Sequence, residues 1–307
     1  MFDLVIIGSG PAGMAAAIYA QRARLDTLVL EKTGISGGQV LNTYEVDNYP
    51  GLPGIGGFEL AQKMQEHAEK MDAAFSGDEV KEIKETDHGY QVVCEGCTYD
   101  TKGIILATGA KHAHLGVPGE GELAGMGVSY CATCDGAFFK DREVAVVGGG
   151  DVAVEDAIFL ARICKKVYLI HRRDELRAAM SLQEALKAYD NVEMVWNTVV
   201  EKINGEEQVD SLSLLNKVSG ERTELQVSGV FVAVGILPNS EVFRNFVETD
   251  EAGYVIAGED CRCNRTCIYA VGDVRTKPLR QIVTAVADGA NAVTSFQKDM
   301  VNTIITK

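Results

Sequence analysis

Basic residues are scarce in this 307-residue chain relative to acidic ones. It has 29 lysines and arginines against 44 aspartates and glutamates, which gives a formal net charge of −15 at pH 7. A nucleic-acid-binding protein needs clustered Lys and Arg to meet the phosphates, so this balance argues against such a partner. The acidic surface is expected to keep the protein soluble.

The sequence also lacks an apolar run long enough to cross a bilayer. The first apolar run begins at Phe2, which leaves no room for a secretory leader, and Asp3 has the wrong charge for one. We therefore expect a cytoplasmic protein with no membrane partner. Because thiols stay reduced in that compartment, the eight cysteines are not expected to form a disulfide framework.

A glycine-rich turn follows the first apolar run and precedes a helical pattern. Residues 2–7 predict a buried parallel strand, residues 11–23 a helix and residues 27–31 a second strand. The turn between them reads Gly8-Ser9-Gly10-Pro11-Ala12-Gly13, which is the dinucleotide-binding fingerprint in its required context. Glu31 lies 18 residues after Gly13, where a carboxylate can bind ribose hydroxyls.

The same pattern returns about 140 residues later. Residues 143–147, 151–163 and 166–170 predict strand, helix and strand, with Gly148-Gly149-Gly150-Asp151-Val152-Ala153 as the turn. The second strand is followed by His171-Arg172-Arg173 and Arg177 instead of a carboxylate. Guanidinium groups can grip a 2′-phosphate, which predicts NADPH over NADH. The alternative is a solvated basic helix start.

Two such units predict an α/β fold made of two Rossmann-like dinucleotide-binding domains, each in three ββα layers, with the second inserted into the first. We place the first dinucleotide-binding domain at residues 1–113 and 242–307, and the second, which carries the cysteine pair, at 114–241. Pro- and Gly-containing stretches at these crossings favour such an insertion.

Further elements are predicted from local patterns. Residues 79–100 alternate polar and apolar side chains like an antiparallel meander, and residues 104–110 predict a separate buried strand that ends in a glycine turn. Residues 230–235 have the same form in the second unit. A strand at 267–271 and a closing helix at about 284–299 complete the pattern.

Two cysteines separated by two residues occupy the interval between the fingerprints, in Cys131-Ala132-Thr133-Cys134, followed by Asp135. This spacing permits a small reversible disulfide and lowers the pKa of one thiol. Zinc binding would need a second pair of ligands at suitable spacing. Redox chemistry is therefore the favoured interpretation, with Asp135 as a proton donor or acceptor. Alternatively, Asp135 only caps the next turn.

Five further cysteines are less easily interpreted: Cys94, Cys97, Cys261, Cys263 and Cys267. They could ligate a metal if their two stretches met in space, whereas buried incidental cysteines are far more common. We predict no metal site.

The motifs together resemble those of low-molecular-weight bacterial thioredoxin reductases, over nearly the whole chain and in that family's order. Besides the two fingerprints they are Gly37-Gly38-Gln39, Asn48-Tyr49-Pro50-Gly51, Ala107-Thr108-Gly109-Ala110, Cys131-Ala132-Thr133-Cys134-Asp135-Gly136, His171-Arg172-Arg173-Asp174, Gly272-Asp273 and Arg280-Gln281. One departure is Val286-Ala287-Asp288-Gly289, where the family commonly has Ala-Gly-Asp-Gly.

The resemblance implies a set of roles for individual residues. FAD would be held by Gly8, Ser9, Gly10, Pro11, Ala12, Gly13, Glu31, Gly38, Gln39, Asn48, Ala107, Thr108, Gly109, Gly272, Asp273, Arg280, Gln281 and Ile282. NADPH would be held by Gly148, Gly150, Asp151, Val152, Ala153, His171, Arg172, Arg173, Arg177 and Gly235. Cys134 would be the sulfur nearest the flavin, Cys131 would attack the disulfide of thioredoxin, and Asp135 would supply the proton. The family also suggests a homodimer.

Other functions stay open at this point. One alternative is a reductase of another small disulfide protein, and another is a flavin dithiol enzyme coupled to ferredoxin or oxygen. The second fingerprint and its arginines disfavour both the ferredoxin-coupled and the oxygen-coupled enzyme. A flavoprotein that only senses redox state would change state once, whereas a reductase consumes NADPH continuously.

Overall fold

The computed structural model describes residues 1–43, 45–46 and 48–305. The first elements are β1 (Phe2–Ile7), α1 (Pro11–Arg22), β2 (Thr27–Leu30), α2 (Gly57–Lys70), β3 (Ala74–Ser76), β4 (Val80–Thr86), β5 (Gly89–Cys94), β6 (Thr98–Leu106) and β7 (Ala110–His112). A single 3₁₀ turn over Gly38–Asn42 lies between β2 and α2.

The middle of the chain begins with β8 (Val128–Ser129) and α3 (Ala132–Asp135). It continues through β9 (Glu143–Gly148), α4 (Asp151–Ala161), β10 (Lys166–Ile170), α5 (Met180–Leu186), β11 (Val192–Val195), β12 (Thr198–Asn204), β13 (Ser211–Asn216), β14 (Arg222–Gln226), β15 (Gly229–Ala233) and β16 (Ile236–Pro238). The last elements are β17 (Ile268–Ala270) and α6 (Ile282–Ile305). No described helix has the length and apolar character needed to cross a membrane.

The chain divides into two compact units. One comprises Met1–Lys111 with Leu237–Lys307, and the other is His112–Ile236. The predicted boundaries at 113 and 242 lie slightly further along the chain than these. The crossings fall earlier because β7 and β16 pair as a short two-stranded sheet, and the chain changes unit within those strands.

The first unit is built on a sheet with the strand order β3-β2-β1-β6, in which neighbouring strands are parallel. The first half of β6 pairs with the antiparallel meander β4-β5, and its second half pairs with β17. Leu4 and Ile6 join the core cluster that contains α1 and α6, and Val5 and Ile7 join the cluster of the opposite face. Because both faces are covered, the strand is a continuous apolar run.

The second unit repeats this plan. Its parallel sheet has the order β11-β10-β9-β15-β8, so that β9 occupies the place of β1 and β15 that of β6. Strands β12, β13 and β14 form a separate antiparallel sheet. The predicted fold class, with two Rossmann-like domains and the second inserted in the first, is confirmed.

The structure differs from the predicted strands and helices in three details. Residues 104–106 are the end of β6 and not a separate strand, because the third meander strand runs straight into the parallel sheet. The closing helix begins at Ile282 and ends at Ile305, beyond the predicted 284–299. The sheet β12-β14 was not predicted, since its half-exposed strands have a weak apolar pattern.

Candidate active site

The first glycine turn is packed so closely that side chains are excluded. Gly8 has a φ of 103°, and a Cβ there would lie 2.5 Å from the Ala107 carbonyl oxygen. A Cβ on Gly13 would lie 1.9 Å from the Gly8 carbonyl oxygen. A Cβ on Gly272 would lie 3.0 Å from that of Ala12, so the ends of β1, β6 and β17 meet at this turn. Ligands of such sheets bind outside the carboxyl ends of the strands.

The carboxylate of Glu31, directly after β2, is bound to the same turn. Its Oε2 accepts hydrogen bonds from the Ser9 amide at 3.1 Å and the Ser9 hydroxyl at 2.9 Å. Its Oε1 accepts from the Thr33 amide and hydroxyl, at 3.2 and 3.1 Å. Glu31 therefore ties the glycine turn to the segment that follows β2, and both belong to the predicted FAD site.

Other predicted FAD residues also lie near one another although they are distant in sequence. The Asn48 amide donates to Gln281 Oε1 at 3.0 Å, and Gln39 donates to the Ala110 carbonyl. The Thr108 hydroxyl donates to the Asn239 carbonyl at 2.6 Å, and the Asn239 side chain donates back to the Thr108 carbonyl at 2.9 Å. Asn239 is a loop anchor that no sequence motif indicated.

Asp273 and Arg280 have buried polar atoms with no hydrogen-bond partner among the described residues, namely Asp273 Oδ1 and Arg280 Nε. Burial raises the pKa of Asp273, while Lys277 and Arg280 act in the opposite direction. The Arg280 guanidinium also lies 4.0 Å from the centre of the Tyr254 ring. An unpartnered buried acceptor and donor of this kind are expected to meet a ligand.

In the second unit, the glycine turn after β9 lies against His171. A Cβ on Gly149 would come within 2.2 Å of the His171 ring. The ring is buried and its Nε2 has no hydrogen-bond partner among the described residues. Burial lowers its pKa, and the positive charges of Arg177, Arg172 and Arg173 act in the same direction.

Those three arginines are exposed and form no ion pair within the described part of the chain. The Arg177 amide donates to the Gly149 carbonyl at 2.7 Å, which ties the basic segment to the turn. Asp151 Oδ1 accepts a hydrogen bond from the Ala179 amide at 2.8 Å. Gly148 pairs with Ala233 of β15. Gly235 follows Ala233 by two residues along the chain.

Cys131 and Cys134 form a disulfide at the short helix α3, which follows β8. The amides of Cys134 and Asp135 donate to the Cys131 carbonyl at 3.2 and 3.1 Å, so one turn of helix holds the pair. Burial raises the pKa of Asp135, and a hydrogen bond of 2.6 Å from the Ser129 hydroxyl to its Oδ2 opposes the rise. A desolvated carboxyl beside a disulfide is suited to proton transfer.

The remaining cysteines differ from this pair. Burial raises the pKa of Cys94, Cys261 and Cys263 to about 12 and that of Cys164 to about 11. At neutral pH such thiols are almost wholly protonated and are therefore poor nucleophiles. Within the described residues, no three His, Cys, Asp or Glu side chains are grouped so as to hold a metal ion.

Two functional candidates were missed by sequence reasoning. Ser129 contacts Asp135 directly. It was missed because it lies outside the motif that begins at Cys131. Asp288 accepts a hydrogen bond from the Gly272 amide at 2.9 Å inside the first unit. Its position in the segment Val286-Ala287-Asp288-Gly289 was the available signal.

Comparison with known proteins identifies the family of this chain. The family model for pyridine nucleotide-disulphide oxidoreductases matches residues 2–289. The thioredoxin reductase of Listeria innocua is 47% identical over 299 residues, covering 97% of this chain and 93% of its own length. That of Bacillus subtilis is 47% identical over 301 residues, covering 97% and 94%.

Solved structures give the same result. The crystal structure of thioredoxin reductase from Streptococcus pyogenes matches with a TM-score of 0.93 at 44% identity, covering 98% of this chain and 99% of that one. Thioredoxin reductase from Giardia duodenalis matches with a TM-score of 0.91 at 33% identity, covering 98% and 99%. This chain therefore belongs to the pyridine nucleotide-disulphide oxidoreductases and, within them, to the thioredoxin reductase family.

Proposed function

We propose that this chain takes electrons from NADPH by way of FAD and uses the Cys131–Cys134 pair to reduce oxidised thioredoxin. The observation that carries the proposal is the disulfide itself, which lies in the same unit as the second fingerprint and beside the desolvated carboxyl of Asp135. Relatives named thioredoxin reductase at 47% identity support thioredoxin as the acceptor.

The residues present fit both cofactors. Asp273 Oδ1 and Arg280 Nε offer a buried acceptor and donor to FAD, next to a glycine turn that leaves room for a pyrophosphate. The exposed guanidinium groups of Arg172, Arg173 and Arg177 offer donors to the 2′-phosphate of NADPH, and the buried ring of His171 lies against the glycine turn. When bound, the two cofactors supply the hydride and electron-pair transfer that reduces sulfur.

The sulfur chemistry follows from Cys131 and from Cys134 and Asp135 of α3. Opening the Cys131–Cys134 disulfide consumes two electrons and two protons and gives two thiols. Cys131, after losing its proton to solvent, attacks one sulfur of the partner disulfide. A bond forms between Cys131 and the partner while the partner S–S bond breaks, and Asp135 protonates the departing thiolate.

A second exchange completes the cycle. Cys134 attacks Sγ of Cys131, which re-forms the internal disulfide and releases the second partner sulfur with the proton that Cys134 gives up. Asp135 regains its proton from solvent. One disulfide has been opened in the partner and one has been closed in this chain, so electrons and protons balance.

We further propose a homodimer that works in the cytoplasm. Family membership supports the dimer, and the cysteines outside the redox pair support the compartment, because Cys94, Cys97, Cys164, Cys261, Cys263 and Cys267 are free.

The test is an anaerobic two-step assay. NADPH should bleach the flavin band far faster than NADH, and oxidised thioredoxin should restore it. Cys131→Ser and Cys134→Ser should each abolish turnover with thioredoxin, whereas Cys164→Ser, at a buried thiol remote from the pair in sequence, should not. A flavin that neither nucleotide reduces would point to ferredoxin or oxygen coupling, and a reduced flavin that thioredoxin leaves bleached would point to another disulfide acceptor.

A further inference from the structure

The hydroxyl of Ser129 lies between the backbone of Cys131 and the carboxylate of Asp135. Its Oγ is 2.6 Å from Asp135 Oδ2, 3.1 Å from the Cys131 amide nitrogen and 3.3 Å from the Cys131 carbonyl oxygen. The residue is 4% exposed, so bulk water does not compete for these bonds. One buried hydroxyl thus touches both the candidate acid and the backbone of the candidate attacking cysteine.

The hydroxyl of Ser129 can hydrogen-bond to Asp135 in either protonation state of the carboxyl group. A serine has one O–H donor and two acceptor lone pairs. When Asp135 is ionised, the Ser129 hydrogen is donated to Oδ2 while Oγ accepts from the Cys131 amide. When Asp135 is protonated, its carboxyl hydrogen can be donated to the second lone pair of Oγ. The Ser129 hydrogen then turns to the Cys131 carbonyl.

We propose that Ser129 is a positioning residue for proton transfer at the redox disulfide, holding Asp135 in place in both of its protonation states by rotating a single hydroxyl hydrogen. The inference rests on the proposed role of Asp135 as the proton donor. During exchange, the Asp135 proton goes to the departing partner thiolate. The Ser129 hydrogen then rotates back from the Cys131 carbonyl to the new carboxylate, and no heavy atom has to move.

The surroundings leave this role to Ser129. Burial is the largest influence on the pKa of Asp135 and raises it, and the Ser129 hydrogen bond opposes the rise. Helix α4, which packs on α3, carries Asp151, Glu155 and Asp156, and none of these charges contributes to the shift. The reduced pair adds the thiols of Cys131 and Cys134, which do not titrate while they are joined.

The test compares Ser129→Ala with Ser129→Thr, which keeps the hydroxyl. The rate of exchange between the reduced pair and oxidised thioredoxin should fall at high pH as Asp135 loses its proton. In Ser129→Ala both forms of Asp135 lose a partner, but the carboxylate loses the stronger, charge-assisted bond, so this fall in rate should move to higher pH by about one unit. Ser129→Thr should keep the wild-type dependence of the rate on pH.

A second readout does not depend on turnover. The infrared carboxyl band of Asp135 in the oxidised protein, assigned by its loss in Asp135→Asn, should titrate at a higher pH in Ser129→Ala by the same amount. The double variant, Ser129→Ala with Asp135→Asn, should show the same pH dependence of the exchange rate as Asp135→Asn alone. An unshifted band in Ser129→Ala, or an added effect in the double variant, would overturn the proposal for Ser129. A wild-type pH limb in Asp135→Asn would instead refute the role of Asp135.

Discussion

At the scale of single residues, a buried carboxylate holds the second half of the candidate FAD site. Asp288 accepts hydrogen bonds from the Gly272 amide, from Arg275 Nε at 2.9 Å and Nη2 at 2.7 Å, and from Lys277 Nζ at 2.7 Å. The Asp288, Arg275 and Lys277 side chains are 3–4% exposed. Burial alone would raise the pKa of Asp288, but the two cations outweigh it, so the pKa lies below its ordinary value.

We expect Asp288→Asn to lower the free energy of unfolding by about 3–5 kcal/mol, because two buried cations lose their counter-ion. The Gly272-Asp273 turn should loosen at the same time, so FAD should dissociate more readily. Urea unfolding and flavin release on dilution measure the two effects. The matched control is Glu259→Gln: its carboxylate is 3.5 Å from Arg275 but its side chain is 88% exposed, so its loss should cost less than about 1 kcal/mol. Equal effects of the two substitutions would contradict this account.

The sign of the pH effect follows from the lowered pKa of Asp288. Its contribution to stability is present above the carboxyl pKa of the unfolded chain and is lost as the pH falls through the lower folded value. The sequence named Asp288 only as part of the Val286-Ala287-Asp288-Gly289 segment, in which the aspartate itself matches the family pattern. Its partners were not predictable, because Arg275 and Lys277 meet it through the turn that follows β17 and not through any local spacing.

At the scale of elements, helices α1 and α6 pack against each other through small residues. A Cβ on Gly289 of α6 would lie 2.3 Å from the Ala12 carbonyl oxygen and 2.7 Å from the Ala16 amide nitrogen of α1. Both obstacles are backbone atoms, which cannot turn aside as a flexible side chain can. The contact also adjoins the fingerprint turn, since Ala12 belongs to it.

Gly289→Ala should therefore destabilise the fold by about 1–3 kcal/mol, although alanine is the better helix former. Chemical denaturation with circular dichroism detection measures the change. Gly96→Ala is the control in the same unit, because a Cβ there meets nothing within 4 Å, and its effect should stay within about 0.5 kcal/mol. A neutral or stabilising Gly289→Ala would mean that the helices can separate without cost.

The predictability of these elements followed the strength of their local signals. The strands and helices around both fingerprints were predicted well, because buried parallel strands are continuous apolar runs that end at glycine. The end of β6 was misjudged, since an apolar run does not reveal that it continues a meander strand. The sheet β12-β14 gave little signal because β14 is almost wholly exposed.

At the scale of the whole molecule, the second unit has its own cores, its own paired strands and adjacent chain ends. Its two core clusters draw only on residues between 115 and 233, and every strand of its two sheets pairs inside the unit. The Ala113 amide donates to the Gly235 carbonyl at 2.9 Å, so the two ends of the unit lie side by side. Cores and ends of this kind are typical of inserted domains that fold alone.

A fragment of residues 112–236 should therefore unfold in one cooperative transition, followed by circular dichroism in urea. NADPH should raise its melting temperature more than NADH, because ligand binding stabilises the folded state and Arg172, Arg173 and Arg177 have no other ion-pair partner within the described residues. Arg173→Gln should reduce that difference, whereas Arg222→Gln, at an exposed arginine paired with Glu201, should leave it unchanged. An unfolded fragment would refute the independent domain, and equal stabilisation by both nucleotides would refute the role of the arginines.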